Sequence, residues 1–369
     1  QINELFSLSS ASASASASLQ RLYLENNRFS GPLFSPSSAT ASTTTDSLPP
    51  LPTTNLIELD ISGNLLTGTL PTTLFIENPQ LQILDLHSNR LVGPLPTLTA
   101  SSELQLLSLY NNSFSGPLQD SLFLNYNDNI DNSIVPPSTL MLTSLDVSLN
   151  QFTGTIPIQS ILQQTSLQRL FLSENPFTNP SSSAAASEWN LLFSSLPHLR
   201  ELSLRNVNLS GTVFIPPTPP SIIVDDDKQV QFLDLGNNHL TGKLPRTILG
   251  ETLVSLNFIL LDQNNFTGTI PDSVEALTDL AMFYLNDNDA MTGNADPFCF
   301  MGPFRPDFLF LPSSISCRCC ETDVSGTTTT TTTSTTMPTA TTLGNFNPSW
   351  KNKFERKTYD LGTGAIFGV

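Results

Sequence analysis

Leu81–Pro96 reads LQILDLHSNRLVGPLP, and its spacing decides the fold. Leu81, Leu84 and Leu86 stand three and two residues apart, and Asn89, Leu91, Gly93, Leu95 and Pro96 follow. The same lattice opens at Leu19, Leu56, Leu104, Leu142, Leu167, Leu199, Val230, Leu256 and Leu280, so one unit of about 24 residues is used ten times. The longer spacings imply insertions at about 34–55, 119–141, 178–198 and 214–229, which belong in loops. In the third of these, Trp189, Leu192, Phe193 and Leu196 recur at helical spacing and predict a short helix.

Side-chain direction explains why such a lattice makes a coil. Along LDLH the period is 2, so Leu84 and Leu86 point into a core while Asp85 and His87 point out. Stacked units lay these strands side by side as a parallel sheet, and Leu91, Phe114, Phe152 and Phe266 turn back into the same core. Each buried Leu or Phe is worth roughly 1.5–3 kcal/mol, and one coil alone cannot bury its own set. Counting the first Leu as position 1, position 9 is Asn27, Asn64, Asn89, Asn112, Asn150, Asn175, Asn238, Asn264 and Asn288, broken only by Val207. An amide there offers two donors and an acceptor to backbone leaving the strand, which predicts a structural ladder.

These residues resemble the plant-type leucine-rich repeat, LxxLxLxxNxLxGxIP. The closest units are LIELDISGNLLTGTLP from Leu56, LTSLDVSLNQFTGTIP from Leu142, VQFLDLGNNHLTGKLP from Val230 and LNFILLDQNNFTGTIP from Leu256. The resemblance implies an α/β repeat solenoid over 19–295: a curved arc of about ten repeats with a parallel sheet on its concave face and a partial second sheet. It also implies an extracellular recognition module, receptor-like or secreted, that binds a protein, peptide or glycan on the concave face, with a co-receptor as a further partner. The terminal ISCRCCETD is similar to the Cys-rich cap of leucine-rich repeat ectodomains of diatoms and related algae, which assigns 296–323 to a C-terminal cap. The plant-type family's usual Cys-bearing N-terminal cap is missing here.

The composition agrees with a secreted or cell-surface protein. Of 369 residues only 13% are charged, yet the net charge is −17, and polarity is carried by Ser, Thr and Asn. Lys and Arg number only 15, too few for nucleic-acid binding. Residues 1–18 form a Ser/Ala-rich lead-in, 324–342 a Thr-rich linker, and 343–369 a basic tail expected to be disordered. No run of 18 apolar residues appears, so membrane attachment would need a span outside this chain. Cys299, Cys317, Cys319 and Cys320 lie past the last repeat and read as disulfides in an oxidising compartment, with the pairing open. Asn111, Asn208 and Asn265 begin glycosylation sequons.

Catalysis finds little footing. Asp60 and Asp85 occupy position 5 of consecutive units, close enough for an acid/base pair, but this is the ordinary wording of the repeat, and an open ladder has no means of excluding water. His87, His198 and His239 do not converge, and neither metal ligands nor a cofactor motif can be read. Binding is therefore sought on the outward strand positions. There Tyr23, Tyr110, Phe171, Leu260 and Tyr284 are expected to expose large apolar surface. Arg169, Arg200 and Arg205 are expected to gather beside Phe171 and Glu201, where the sixth and seventh units break the lattice at Pro176 and Val207. The alternative functions are an adhesive cell-wall glycoprotein and a secreted inhibitor of a wall-degrading enzyme.

Overall fold

The computed structural model describes residues 19–33, 56–71, 73–96, 103–123, 142–179, 185–214, 230–251, 253–301, 306 and 308–318. The lead-in 1–18, the Thr-rich linker, the tail, Cys319, Cys320 and most of the insertions at 34–55, 119–141 and 214–229 lie outside them. Two compact units result. The first holds residues up to 170 with 175–180 and 195–198; the second holds 171–174, 181–194 and 199 onward.

In the first unit each coil gives one strand to a main sheet: β1 (Arg21–Tyr23), β3 (Glu58–Asp60), β5 (Ile83–Asp85), β7 (Leu106–Ser108) and β9 (Ser144–Asp146), all parallel. A second strand from each coil builds a second sheet in the order β10 (Gln151–Thr153), β8 (Ser113–Pro117), β6 (Arg90–Gly93), β4 (Leu65–Gly68), β2 (Ser30–Pro32). The register pairs Leu22, Leu59, Leu84, Leu107 and Leu145 in one row. From Leu59 onward this row is buried beneath Leu66, Leu91, Phe114 and Phe152. Leu22 and Phe29 of the first coil are only half-buried.

β11 (Arg169–Phe171) crosses the division, with its last residue in the second unit. The second unit repeats the plan with β12 (Glu201–Ser203), β14 (Phe232–Asp234), β16 (Phe258–Leu260), β18 (Met282–Tyr284) and β19 (Phe308–Phe310), again parallel. β13 (Ser210–Thr212), β15 (His239–Lys243) and β17 (Asn265–Thr267) form its second sheet. The helix predicted in the third insertion forms as a 3-10 turn, Ala185–Asn190, running into a helix at Leu191–Ser195, and Trp189, Leu192 and Leu196 are buried.

Two backbone features keep each coil tight. The residue at position 8 takes a positive φ in every unit, from Asn26 (54°) and Ser88 (53°) to Gln263 (53°) and Asp287 (56°), which turns the chain out of its strand. At position 13, Gly93 (φ 86°) is open to the left-handed region, and a Cβ there would come within 2.8 Å of Thr69 Cγ2. Glycine thus serves both the turn and the close approach of the preceding coil.

Past the last repeat, Asp296–Phe300 is helical, and Phe298 packs on Phe283 with ring centroids 5.1 Å apart. The segment read as cap contributes β19, which extends the sheet by one strand beside β18. Cys299 and Cys317 are both disulfide-bonded.

Candidate functional site

Register fixes what the outward strand positions present, and the two units present different chemistry. In the first unit, position 3 is Arg21, Glu58, Ile83, Leu106 and Ser144, and position 5 is Tyr23, Asp60, Asp85, Ser108 and Asp146. Two residues on, position 7 is Glu25, Ser62, His87, Tyr110 and Ser148. At one end Arg21 Nε donates to Glu58 Oε1 at 2.9 Å and the Tyr23 hydroxyl donates to Glu58 Oε2, which together hold the Glu58 carboxyl below its usual range. At the other end Arg169 Nε donates to Ser144 Oγ at 3.2 Å.

Between those ends the face is acidic. Asp60 Oδ1 accepts from the Ser62 amide and hydroxyl at 3.0 and 2.7 Å, yet burial, with Asp85 adding to it, pushes its pKa up. Asp85 Oδ1 accepts from the His87 amide at 3.1 Å and meets His87 Nδ1 at 2.7 Å. Burial works against charge on His87, but the hydrogen bond and charge of Asp85, with Asp60 and Asp146, raise its pKa on balance. The Tyr110 ring lies 6.4 Å from the His87 ring. Asp146 is 8% exposed; Oδ1 accepts from the Ser148 amide at 2.9 Å, and burial pushes its pKa up to about 6.

The second unit corrects part of the sequence reading. Phe171, Leu260 and Tyr284, expected to be open, are 2%, 6% and 5% exposed. Positions 3 and 5 carry aromatic or long apolar side chains on several neighbouring strands at once, so each covers the next. Phe171, Phe232, Leu260, Met282 and Tyr284 form one cluster, with Phe258, Phe308 and Phe310 packed against it. Tyr284 stacks on Phe310 at 4.1 Å between centroids, and Phe171 meets Phe232 edge-on at 6.3 Å. Burial raises the Tyr284 pKa. This outward face is a second hydrophobic core.

Arg205 is also corrected: the expected free cation is 9% exposed and fully engaged. Its Nε donates to Asp234 Oδ2 at 3.0 Å, and Nη1 and Nη2 donate to the two oxygens of Asp262 at 3.1 and 2.5 Å. Its own amide donates to Ser173 Oγ at 2.9 Å. The guanidinium lies over Gly236, where a Cβ would overlap Nη2 and Cζ. Burial opposes the charge, but the two carboxylates outweigh it and the Arg205 pKa rises. Of the other residues named with it, Arg200 is exposed and Glu201 half-buried in the second unit, whereas Arg169 falls in the first.

The asparagines knit coils within each unit. Asn89 Nδ2 reaches the carbonyls of Leu86 at 3.1 Å and, one coil back, Ile61 at 3.0 Å, while Oδ1 accepts from the Leu66 amide at 3.0 Å. Asn64, Asn112, Asn150, Asn238, Asn264 and Asn288 repeat the pattern. Asn175 spans coils likewise, bonding the Val147 carbonyl and the Phe152 amide. Asn27, in the first coil, bonds only within its own turn, to the carbonyls of Leu24 and Glu25. Asn111, Asn208 and Asn265 are exposed. Among the described residues no group of three or more His, Cys, Asp or Glu is placed to hold a metal ion.

Sequence reasoning passed over Gly236 and Asp262, the two residues that with Asp234 complete the setting of Arg205. The only trace was local, since VQFLDLGNNHL carries Gly and LNFILLDQNNF carries Asp at position 7. It also passed over β19, although FLFLP alternates as a strand should.

The Leucine Rich Repeat family matches residues 18–38, 55–75, 80–101 and 229–250. Receptor-like protein 13 of Arabidopsis thaliana is 36% identical over 120 residues, covering 29% of this chain and 11% of that relative. Receptor-like protein 35 of the same plant is 27% identical over 262 residues, covering 63% of the chain and 25% of the relative. Among solved structures, the plant peptide hormone receptor RGFR1 in complex with RGF2 is similar over 81% of this chain and 40% of its own (TM-score 0.58, 25% identity). PEPR1–AtPEP1 is similar over 81% of this chain and 35% of its own (TM-score 0.58, 27% identity). The chain thus spans well under half the length of these relatives.

Proposed function

We propose that this chain, a leucine-rich repeat protein of the plant type, is a non-enzymatic extracellular recognition module that binds a peptide or protein segment along the strand face of its first unit. The contrast between the two faces carries the reading. Most of positions 3 and 5 from β14 onward in the second unit are filled by mutually packed apolar side chains, Phe232, Phe258, Leu260, Met282 and Tyr284. The corresponding positions of the first carry half-exposed Glu58, Asp60, Asp85 and Ser108, with Tyr110 beside them. Hydrogen-bonding groups repeat there at strand spacing, about 4.8 Å, which suits an extended chain laid across the strands. Likeness to receptor-like proteins, and to receptors solved with peptide hormones, supports a peptide ligand, and a co-receptor and a cell-surface or secreted location are part of the same proposal. Among the described residues no helix is long and apolar enough to cross a membrane.

Panning a displayed random 12-residue peptide library tests this. The whole chain is expected to enrich sequences that Asp60→Ala/Tyr110→Ala no longer retains, while Arg200→Ala retains them. Enrichment of no sequence, or of sequences indifferent to the double substitution, contradicts the reading.

A further inference from the structure

We infer that the first unit's strand face holds a pocket for a guanidinium side chain of the ligand, above Ser108 and bounded by Asp85, His87, Tyr110 and Asp146. The inference rests on the recognition reading above and names the chemistry it selects. Asp85, Ser108 and Asp146 are consecutive partners in the register of β5, β7 and β9, so two carboxylates flank a small residue. Tyr110 stands two residues beyond Ser108, its ring 6.4 Å from that of His87, and an aromatic ring on this face is a partner a guanidinium can stack on. Asp146 is more than nine-tenths buried, and the two groups near the row able to carry positive charge are already engaged, His87 by Asp85 and Arg169 by Ser144.

The protein itself shows what satisfies such a setting. In the second unit, two outward carboxylates of consecutive coils, Asp234 on β14 and Asp262 just past β16, are bridged by Arg205 over the space that Gly236 leaves. In the first unit the nearest arginines of the outward positions, Arg21 and Arg169, bond Glu58 and Ser144 at the two ends of the face. A planar fork with donors on two edges can reach both flanking carboxylates at once, which a compact ammonium cannot, so arginine is selected over lysine.

Titration should accompany binding. The groups facing the pocket are Asp60, Asp85, His87, Tyr110 and Asp146, with Arg169 at the far edge of β9. Charge on Asp146 favours the guanidinium and charge on His87 opposes it, so acidification weakens binding on both counts, Asp146 losing its charge around pH 6.

The test uses the whole chain and the peptide library described above. Retained sequences are expected to be enriched in arginine; replacing that arginine by citrulline, its neutral isostere, should weaken binding at least tenfold, and lysine should recover only part. Ser108→Arg supplies the cation internally, as Arg205 does in the second unit, and should lose arginine peptides at least tenfold while unfolding no earlier than wild type. If that variant is misfolded, Asp85→Asn replaces it, with the same expected loss. Enriched sequences without a basic residue, or unchanged affinity for the citrulline peptide, overturn the pocket while leaving peptide recognition intact. A library that enriches nothing overturns both.

Discussion

Arg205 shows how one side chain can be misjudged from its spacing. Position 7 points outward, and an outward arginine in a chain with few cations suggests a ligand contact; burial by three strands and pairing with Asp234 and Asp262 give it a structural role instead. Removing it leaves two buried carboxylates without their partner, so Arg205→Ala should cost about 3–5 kcal/mol in urea unfolding, whereas an exposed arginine such as Arg200 should cost under about 0.5 kcal/mol. Gly236→Ala should be damaging too, because a Cβ meets the guanidinium. Asp146 makes the pH-dependent case. Its folded pKa, about 6, lies above the ordinary 3.8, so its contribution is fully present below about pH 3.8 and lost as pH rises through about 6. Asp146→Asn should therefore gain on wild type by on the order of 2–3 kcal/mol between pH 4 and pH 7.5, measured by urea unfolding at both. A difference that does not change with pH contradicts the assignment.

At the scale of the coil, the Leu, Asn and Gly columns were legible because each answers a local demand that recurs. Leu fills a core row, Asn bonds backbone of two coils, and Gly takes a positive φ. The left-handed turn at position 8 was not legible, since Asn, Ser, Leu, Glu, Gln and Asp all occupy it and no single residue type marks the column. The face chemistry was half legible. Alternation said which residues point outward, but burial of Phe171, Leu260 and Tyr284 depends on their neighbours across strands and not on their own coil. Two substitutions separate these roles. Asn264→Ala removes the acceptor of the Leu240 amide and the donor to the Leu235 carbonyl, and should cost about 1–3 kcal/mol. Tyr284→Ala should cost about 3–5 kcal/mol as a core residue, against less than about 1 kcal/mol for exposed Tyr23→Ala, both read from denaturant midpoints at constant slope.

For the molecule, one lattice supports two uses of its outward strand positions. In the second unit the strand face is closed by its own aromatics, and β19 extends that slab through Phe308 and Phe310. In the first it stays polar and half-open, with carboxylates in register and arginines at its ends. Hydroxyl-radical footprinting of the native chain, read residue by residue by mass spectrometry, tests that division without any ligand. Tyr23 and Tyr110 should be oxidised readily while Phe171 and Tyr284 are modified only on unfolding. Phe171 and Tyr284 reacting at the rate of Tyr23 would contradict it.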